Sequence, residues 1–253
     1  MLEREITTRA YELDRYGRIP AAVLLRYLEH TRWEAGYDST AGMAGLFSGG
    51  RRMVVRAQQV TMGRPLGRAE RLRVSLWLEA VGRTSLTMGQ RVVDEASGEE
   101  VATATVVGVS IDAAGRPAAL PESVRDLVSA RGLVHQRLGE EAPPAAAFRC
   151  QTVVRYSDTD VLQHANHARY ADWIEDARAA AVAADALGPA GPLRPPQKLA
   201  IEYVHECLVG EVVELSVWAG AGGVVHVSGV VGESRTLAFR AEVQPAAPSA
   251  GSR

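Results

Sequence analysis

The sequence has little sulfur, no excess of charge of either sign and no long apolar run at its start. Only Cys150 and Cys207 are present, too few for a disulfide framework and without metal-ligand spacing. Its 28 basic residues stand against 30 acidic ones, giving a formal charge of −2 with neither sign segregated. That balance gives no electrostatic case for a nucleic acid or an anionic surface as partner. The opening "MLEREITTRAYELDRYGRI" alternates charge and holds no uninterrupted apolar stretch. Neither a signal peptide nor a membrane span is read there, and a cytoplasmic location is expected.

What is present is a large apolar content, 47% of 253 residues, enough for one large core or two modest ones. Sliding the chain along itself by 146 positions lays "RAYELDRYGRIPAAVLLRYLEHTR", from Arg9, over "RYSDTDVLQHANHARYADWIEDAR", from Arg155. Arg9, Asp14, Ala22, Glu29 and Arg32 then coincide with Arg155, Asp160, Ala168, Glu175 and Arg178, and Tyr27-Leu28 with Trp173-Ile174. The matches together predict two copies of one unit. Beyond each helix-like segment the apolar period drops to two. Leu72, Val74, Leu76 and Leu78 share one face, as do Val213, Leu215 and Val217, the pattern of half-buried strands. Further strands are predicted at 85–93, 101–111, 224–231 and 236–243. Each copy therefore reads as a short strand, a helix and several strands, an order in which a helix covers one apolar face of an antiparallel sheet.

The expected boundaries are 1–118 and 148–244 for the two units, 119–147 for an interdomain helix and linker, and 245–253 for a tail. "ALPESVRDLV" reads as a short helix opened by Pro121, and "GEEAPPAAA" as linker. "ALGPAGPLRPPQK" reads either as an ordinary connection or as a substrate-access loop. Met43, Leu46 and Phe47 are candidates to shape one end of a pocket. Tyr170, Trp173, Ile174, Ala177 and Ala181 follow helical spacing and read as core, with ligand contact as the alternative.

Two segments carry polar side chains in unusual density. In "DVLQHANHARY", residues 160–170, Asn166 or His167 falls near a helix start, where the first amides lack intrahelical acceptors and point toward negative charge. In "LAIEYVHECLVG", residues 199–210, a strand would put Glu202, Val204 and Glu206 on one face and Tyr203, His205 and Cys207 on the other. The two carboxylates then mark either a solvent-facing edge or a base tuned by enclosure and a histidine. The chain has no serine elbow, which excludes little, because water activated by a carboxylate needs none.

These motifs resemble those of the plant-type and bacterial acyl-acyl carrier protein thioesterases. That family's second-half site has the pattern Asp-x-Asn-x-His-x-Asn-Asn, followed on a later strand by Glu-Tyr and then Glu-Cys. Here the first pattern stands as Asp160, Val161, Leu162, Gln163, His164, Ala165, Asn166 and His167, and the second as Glu202-Tyr203 and Glu206-Cys207. "LPESVRDLV" is similar to the family's linker helix, so the resemblance covers nearly the whole chain. It implies an α+β double hotdog of two fused units, each with a long helix packed against an antiparallel β-sheet. It also implies hydrolysis of an acyl or polyketide thioester, releasing a free carboxylic acid from an acyl carrier protein in fatty acid or polyketide biosynthesis. No metal or other cofactor is expected, nor any nucleic-acid or membrane partner, and the chain would act as a monomeric pseudo-dimer or a homodimer. Arg51, Arg52, Arg194 and Lys198 are available for a phosphopantetheine phosphate and an acidic carrier.

On this reading Asp160, His164 and Glu206 are the catalytic residues. Glu206 activates or orients water, Asp160 organises the site with His164, and helix-start amides near Asn166 and His167 stabilise the oxyanion of an attacked thioester. Leu162, Tyr203 and Cys207 belong to the pocket, Cys207 pointing away from Glu206 rather than attacking. Leu162 departs from the pattern, standing where the family has its catalytic asparagine, and it offers no hydrogen bond. The departure keeps two alternatives open, a noncatalytic acyl-binding protein and another hotdog-type thioester transformation such as dehydration. The first copy has Asp14, Arg18 and Pro20 where the second has Asp160, His164 and Asn166, and it has Arg64 and Pro65 near the position of Glu206. One active site per chain is expected, with Asp14 a turn or helix-start residue.

Overall fold

The computed structural model describes residues 2–37, 43, 46, 50–188 and 193–246. Phe47 and residues 189–192 and 247–253, which fall in the expected pocket end, access loop and tail, lie outside the described residues. The chain divides into two units, one ending at Gln136 and one beginning at Arg137.

The first unit runs β1 (Leu2–Thr7), α1 (Ala21–Tyr37), β2 (Arg52–Met62), β3 (Arg71–Val81), β4 (Ser85–Asp94) and β5 (Glu100–Ile111). Its strands are ordered β1-β3-β4-β5-β2, every pairing antiparallel. The second unit repeats the plan with β6 (Phe148–Val153), α2 (Arg169–Ala183), β7 (Pro196–Tyr203), β8 (Val212–Ala219), β9 (Val225–Val231) and β10 (Thr236–Pro245). Its order, β6-β8-β9-β10-β7, is the same when read from the short first strand. The alternation that marked the strands comes from their inner faces, since Leu72, Val74, Leu76 and Leu78 are all fully buried, as are Val213 and Val217.

The repeat extends to individual turns. Arg9 and Arg155 each open a short 3-10 turn, their amides donating at 2.8 Å to Glu12 and Asp158. The next loop closes with Gly17 N donating to Asp14 O at 2.9 Å in one copy and Gln163 N to Asp160 O at 2.9 Å in the other.

On α2 the buried positions are Tyr170, Ala171, Trp173, Ile174, Ala177, Arg178 and Ala181, the stripe that 3.6-residue spacing predicts. Arg178 is the exception to its apolar character. Its guanidinium pairs with Glu175 at 2.7 Å and donates to the Arg194 carbonyl at 3.2 Å, tying the end of the 184–195 connection to the helix. Met43 and Leu46, the described candidates for a pocket end, lie with Leu76, Leu78, Leu86, Leu120 and Val124 in a core cluster of the first unit. Their apolar bulk is used in packing.

Beyond β5 the chain makes a 3-10 helix over Glu122–Leu127 after Pro121, then lies back on its own unit. Ser129 N donates to Leu78 O at 2.9 Å. Glu79, buried on β3, accepts the amides of Arg131, Gly132 and Leu133 and the Trp77 indole. Gly132 at φ +83° turns successive amides toward the carboxylate, forming an anion nest filled by the chain itself. In the second unit Glu202 on β7 takes the Leu138 amide at 3.0 Å and pairs with Arg240 at 2.8 Å.

Candidate active site

The polar motif occupies the loop between β6 and α2. Asp160 accepts the Leu162 amide at 2.8 Å on Oδ1 and the Asn166 side-chain amide at 3.4 Å on Oδ2. The short side chain thus folds the loop over itself, an Asx-type turn with Gln163 at its left-handed corner. Asn166 in turn accepts the Ala168 amide at 2.9 Å on Oδ1, and its carbonyl takes the Arg169 amide at 2.8 Å. At Ala168 and Arg169 the helix-start amides are therefore already engaged. Asn166 already satisfies both donors, as a polar residue before a helix ordinarily does.

The second motif meets the first through the main chain. Ala165 N donates to Cys207 O at 2.8 Å, and His164 pairs with Leu208 in an isolated antiparallel bridge. The same contact exists in the first copy as Ile19 N to Leu66 O, also 2.8 Å. Asp160, Leu162, His164 and Asn166 therefore share one loop, with Glu206 and Cys207 on the segment bonded to it.

The predicted strand faces around Glu206 do not form. β7 ends at Tyr203, because the amides of Val204 and His205 both donate to Ala238 O, at 2.8 and 3.0 Å, which breaks the two-residue alternation. Val204, His205 and Glu206 are all exposed, while Glu202 is buried against Arg240. Glu202 and Glu206 thus have separate roles. Cys207 turns inward with no exposed surface, in an environment opposite to that of Glu206.

His164 is half-buried, and its Nδ1 lies 3.3 Å from the Ala165 carbonyl. A proton on Nδ1 matches that acceptor and leaves Nε2 to accept one. Tyr203 donates to the His167 carbonyl at 2.9 Å, and its ring stands edge-on to His167 at 6.3 Å. Burial pushes the Cys207 thiol up to about 11, with the Glu206 and Glu211 carboxylates adding to the rise and a hydrogen bond from Tyr170 opposing it. At neutral pH the sulfur is a protonated thiol and a poor nucleophile.

One residue escaped the sequence reading. Asp158 caps the 3-10 turn and pairs with Arg169 at 3.6 Å; its signal was the repeat itself, since it falls on Glu12. Tyr170, read as core, is buried with its ring against Trp173, Tyr203 and Phe239. Of the basic residues considered for a carrier, Arg51 and Arg52 lie in the first unit and Arg194 and Lys198 in the second. Arg52 reaches the Ala113 carbonyl at 3.5 Å and Arg194 that of Ala246 at 3.0 Å.

In the first copy the carboxylate of the corresponding loop is engaged by the loop itself. Asp14 accepts the Tyr16 and Arg18 amides at 2.8 and 3.0 Å and the Arg18 guanidinium at 3.1 and 3.2 Å, so its carboxylate is saturated. Among the described residues no helix is long and apolar enough to cross a membrane.

Residues 8–128 match the Thioesterase-like superfamily and residues 141–244 the Acyl-ACP thioesterase C-terminal domain. No curated protein matches the sequence. Among solved structures, an acyl-ACP thioesterase from Bacteroides thetaiotaomicron is 18% identical with a TM-score of 0.81, covering 96% of each chain. The 12:0-ACP thioesterase from Umbellularia californica is 18% identical with a TM-score of 0.74, covering 97% of each. At these identities the likeness establishes the shared double hotdog fold. The first half of the chain thus matches the Thioesterase-like superfamily and the second the C-terminal domain of acyl-ACP thioesterases, matches that mark the chain as a thioester hydrolase.

Proposed function

We propose that the protein releases a free carboxylic acid from an acyl carrier protein at one site per chain, with Glu206, His164 and Asp160 carrying the chemistry. The observation that carries this reading is the Ala165–Cys207 bond, which brings the two motif segments side by side. Elimination supports Glu206 as the base. Asp158 is held by the Arg155 amide, Asp160 by Leu162 and Asn166, Glu202 by Arg240 and Glu211 by the Leu208 amide. Glu206 has no ion pair among the described residues. It is exposed, and an acyl chain with its arm, once bound, would exclude water from around it. His164 presents Nε2 to the same water or to the departing thiolate, while Asp160 holds the loop that carries it.

Single-turnover hydrolysis of a panel of acyl-carrier thioesters tests the assignment. Glu206→Gln, His164→Ala and Asp160→Asn should each lose about 10²-fold or more while remaining folded. Asp160→Asn sets an amide nitrogen against Asn166 or against the Leu162 amide, so it disturbs the turn as well. Full activity in folded Glu206→Gln rejects this mechanism, and equal turnover of coenzyme A thioesters rejects the carrier preference.

A further inference from the structure

The loop that carries Asp160 and His164 is closed in layers from its tip to its base. At the tip Asp160 N donates to His164 O at 3.2 Å. Below it Thr159 and Ala165 form an antiparallel bridge, and below that Asn166 N donates to Asp158 O at 2.8 Å. A side chain closes the base. Arg169, at the first position of α2, donates from Nη2 to the Ser157 carbonyl at 3.1 Å and from Nη1 to Asp172 at 3.2 Å, with its Nε 3.6 Å from the Asp158 carboxylate. Asp158 is buried, and its other oxygen is fixed by the Arg155 amide. A cation in the first turn of a helix meets the positive end of the helix dipole, where a carboxylate is favoured. Arg169 stands there against that preference, held by three oxygens from the two elements it joins, a spread that suits the planar fork of a guanidinium.

The first copy closes the same loop differently. It keeps the tip bond, as Asp14 N to Arg18 O at 2.7 Å. Val23, however, stands at the position of Arg169, and Pro20, which has no amide hydrogen, at that of Asn166, so neither base bond can form. There the cation sits at the tip, where the Arg18 guanidinium lies on the Asp14 carboxylate at 3.1 and 3.2 Å. In the second copy His164 takes the place of Arg18, and the Asp160 carboxylate meets the Leu162 and Asn166 amides instead of a guanidinium. An arginine helps to close the loop in each copy, but in the second it stands at the base, clear of the tip.

Resting on the hydrolase reading above, we propose that Arg169 is a positioning residue for the reaction: a clamp at the base of the loop that holds Asp160 and His164 in place and leaves the tip to substrate and water. It acts through Ser157, Asp158 and Asp172 and touches no reacting atom.

The test pairs kinetics with amide hydrogen exchange in the full chain. Arg169→Met keeps the apolar stem and removes the donors. It should lower kcat about tenfold with KM within about twofold, because the loss falls on the placement of reacting groups. Exchange at the Asp160 and Asn166 amides should quicken by about tenfold or more while β6–β10 keep their protection. Arg169→Lys, which keeps the charge without the fork, should retain more kcat and more protection than Arg169→Met. Adding His164→Arg to Arg169→Met returns the cation to the tip, as in the first copy, so exchange at Asp160 should slow again while turnover falls further with the loss of the histidine. Unchanged exchange at both amides in Arg169→Met overturns the clamp, as does loosening spread evenly over the unit. Unchanged kcat overturns its role in the reaction. If the parent cleaves no thioester, the hydrolase reading fails, and the exchange results alone decide whether the clamp exists.

Discussion

Gln163 holds φ +67° at the corner of the second-copy loop where Gly17 holds +74° in the first. A left-handed conformation is nearly free for glycine and costs other residues about 1–2 kcal/mol. The copy with the candidate chemistry therefore carries backbone strain at the turn that positions Asp160 and His164. Gln163→Gly should raise stability by up to about 1 kcal/mol, part of the relief being offset by the freer unfolded chain. Gly17→Ala should cost about 1 kcal/mol, a purely conformational loss, since a Cβ there meets nothing within 4 Å. Urea unfolding of the two variants measures both, and destabilisation by Gln163→Gly would refute the strain.

Glu79 predicts an acid sensitivity. Burial alone would raise its carboxyl, but the Trp77 indole and three main-chain amides outweigh it and hold the group below its ordinary 4.5. A carboxylate lowered in the folded state contributes stability that is present above its unfolded pKa and is lost as pH falls through the folded one. The parent should therefore lose stability below about pH 4.5 more steeply than Glu79→Gln does. At neutral pH Glu79→Gln should cost about 1–3 kcal/mol, since an amide nitrogen then faces donors. Unfolding at stepped pH reads the difference in slope, and parallel slopes would refute the linkage.

Gly229 lies opposite Phe239 in the β9–β10 pairing, and a Cβ there would come within 2.2 Å of the Phe239 ring. Phe239 is fully buried and braces Tyr170, so it has no direction in which to yield cheaply. Gly229→Ala should cost about 2–3 kcal/mol and lower kcat together with Tm. A variant with parental Tm would mean that the ring moves freely.

The strands and the tandem plan were legible because they are written in period. Leu72 to Leu78 and Val213 to Val217 alternate as half-buried strands must, and two aligned copies of Arg9–Arg32 reveal what one would not. Alternation failed just where a local bond overrode it, at Val204 and His205, whose shared acceptor Ala238 is more than thirty residues away in sequence. The use of Asn166 to satisfy the Ala168 and Arg169 amides was equally hidden, since the same residue at a helix start serves a ligand or a cap. Tyr170 shows the remaining limit. Helical spacing says that a residue is inside, and only the fold says that its ring stands edge-on to Tyr203 and Phe239.

Leu162 is the position where the site can be improved. Its amide is already held by Asp160 at 2.8 Å, so the backbone that would present a side-chain amide is in place. The half-buried leucine supplies bulk but no donor or acceptor. Asparagine is close in size and would add one of each beside the carboxylate–histidine loop, where it could orient water or donate to the developing oxyanion. Leu162→Asn should therefore raise kcat by about tenfold, the scale of one modest polar contact made in the transition state. KM should rise for the most apolar acyl chains, which lose contact with the leucine. Burst and steady-state kinetics on carrier-bound thioesters of graded length separate the two effects. A fall in kcat with intact folding would mean that Leu162 is itself part of a working arrangement, with Glu206 and His164 handling water without help from this position.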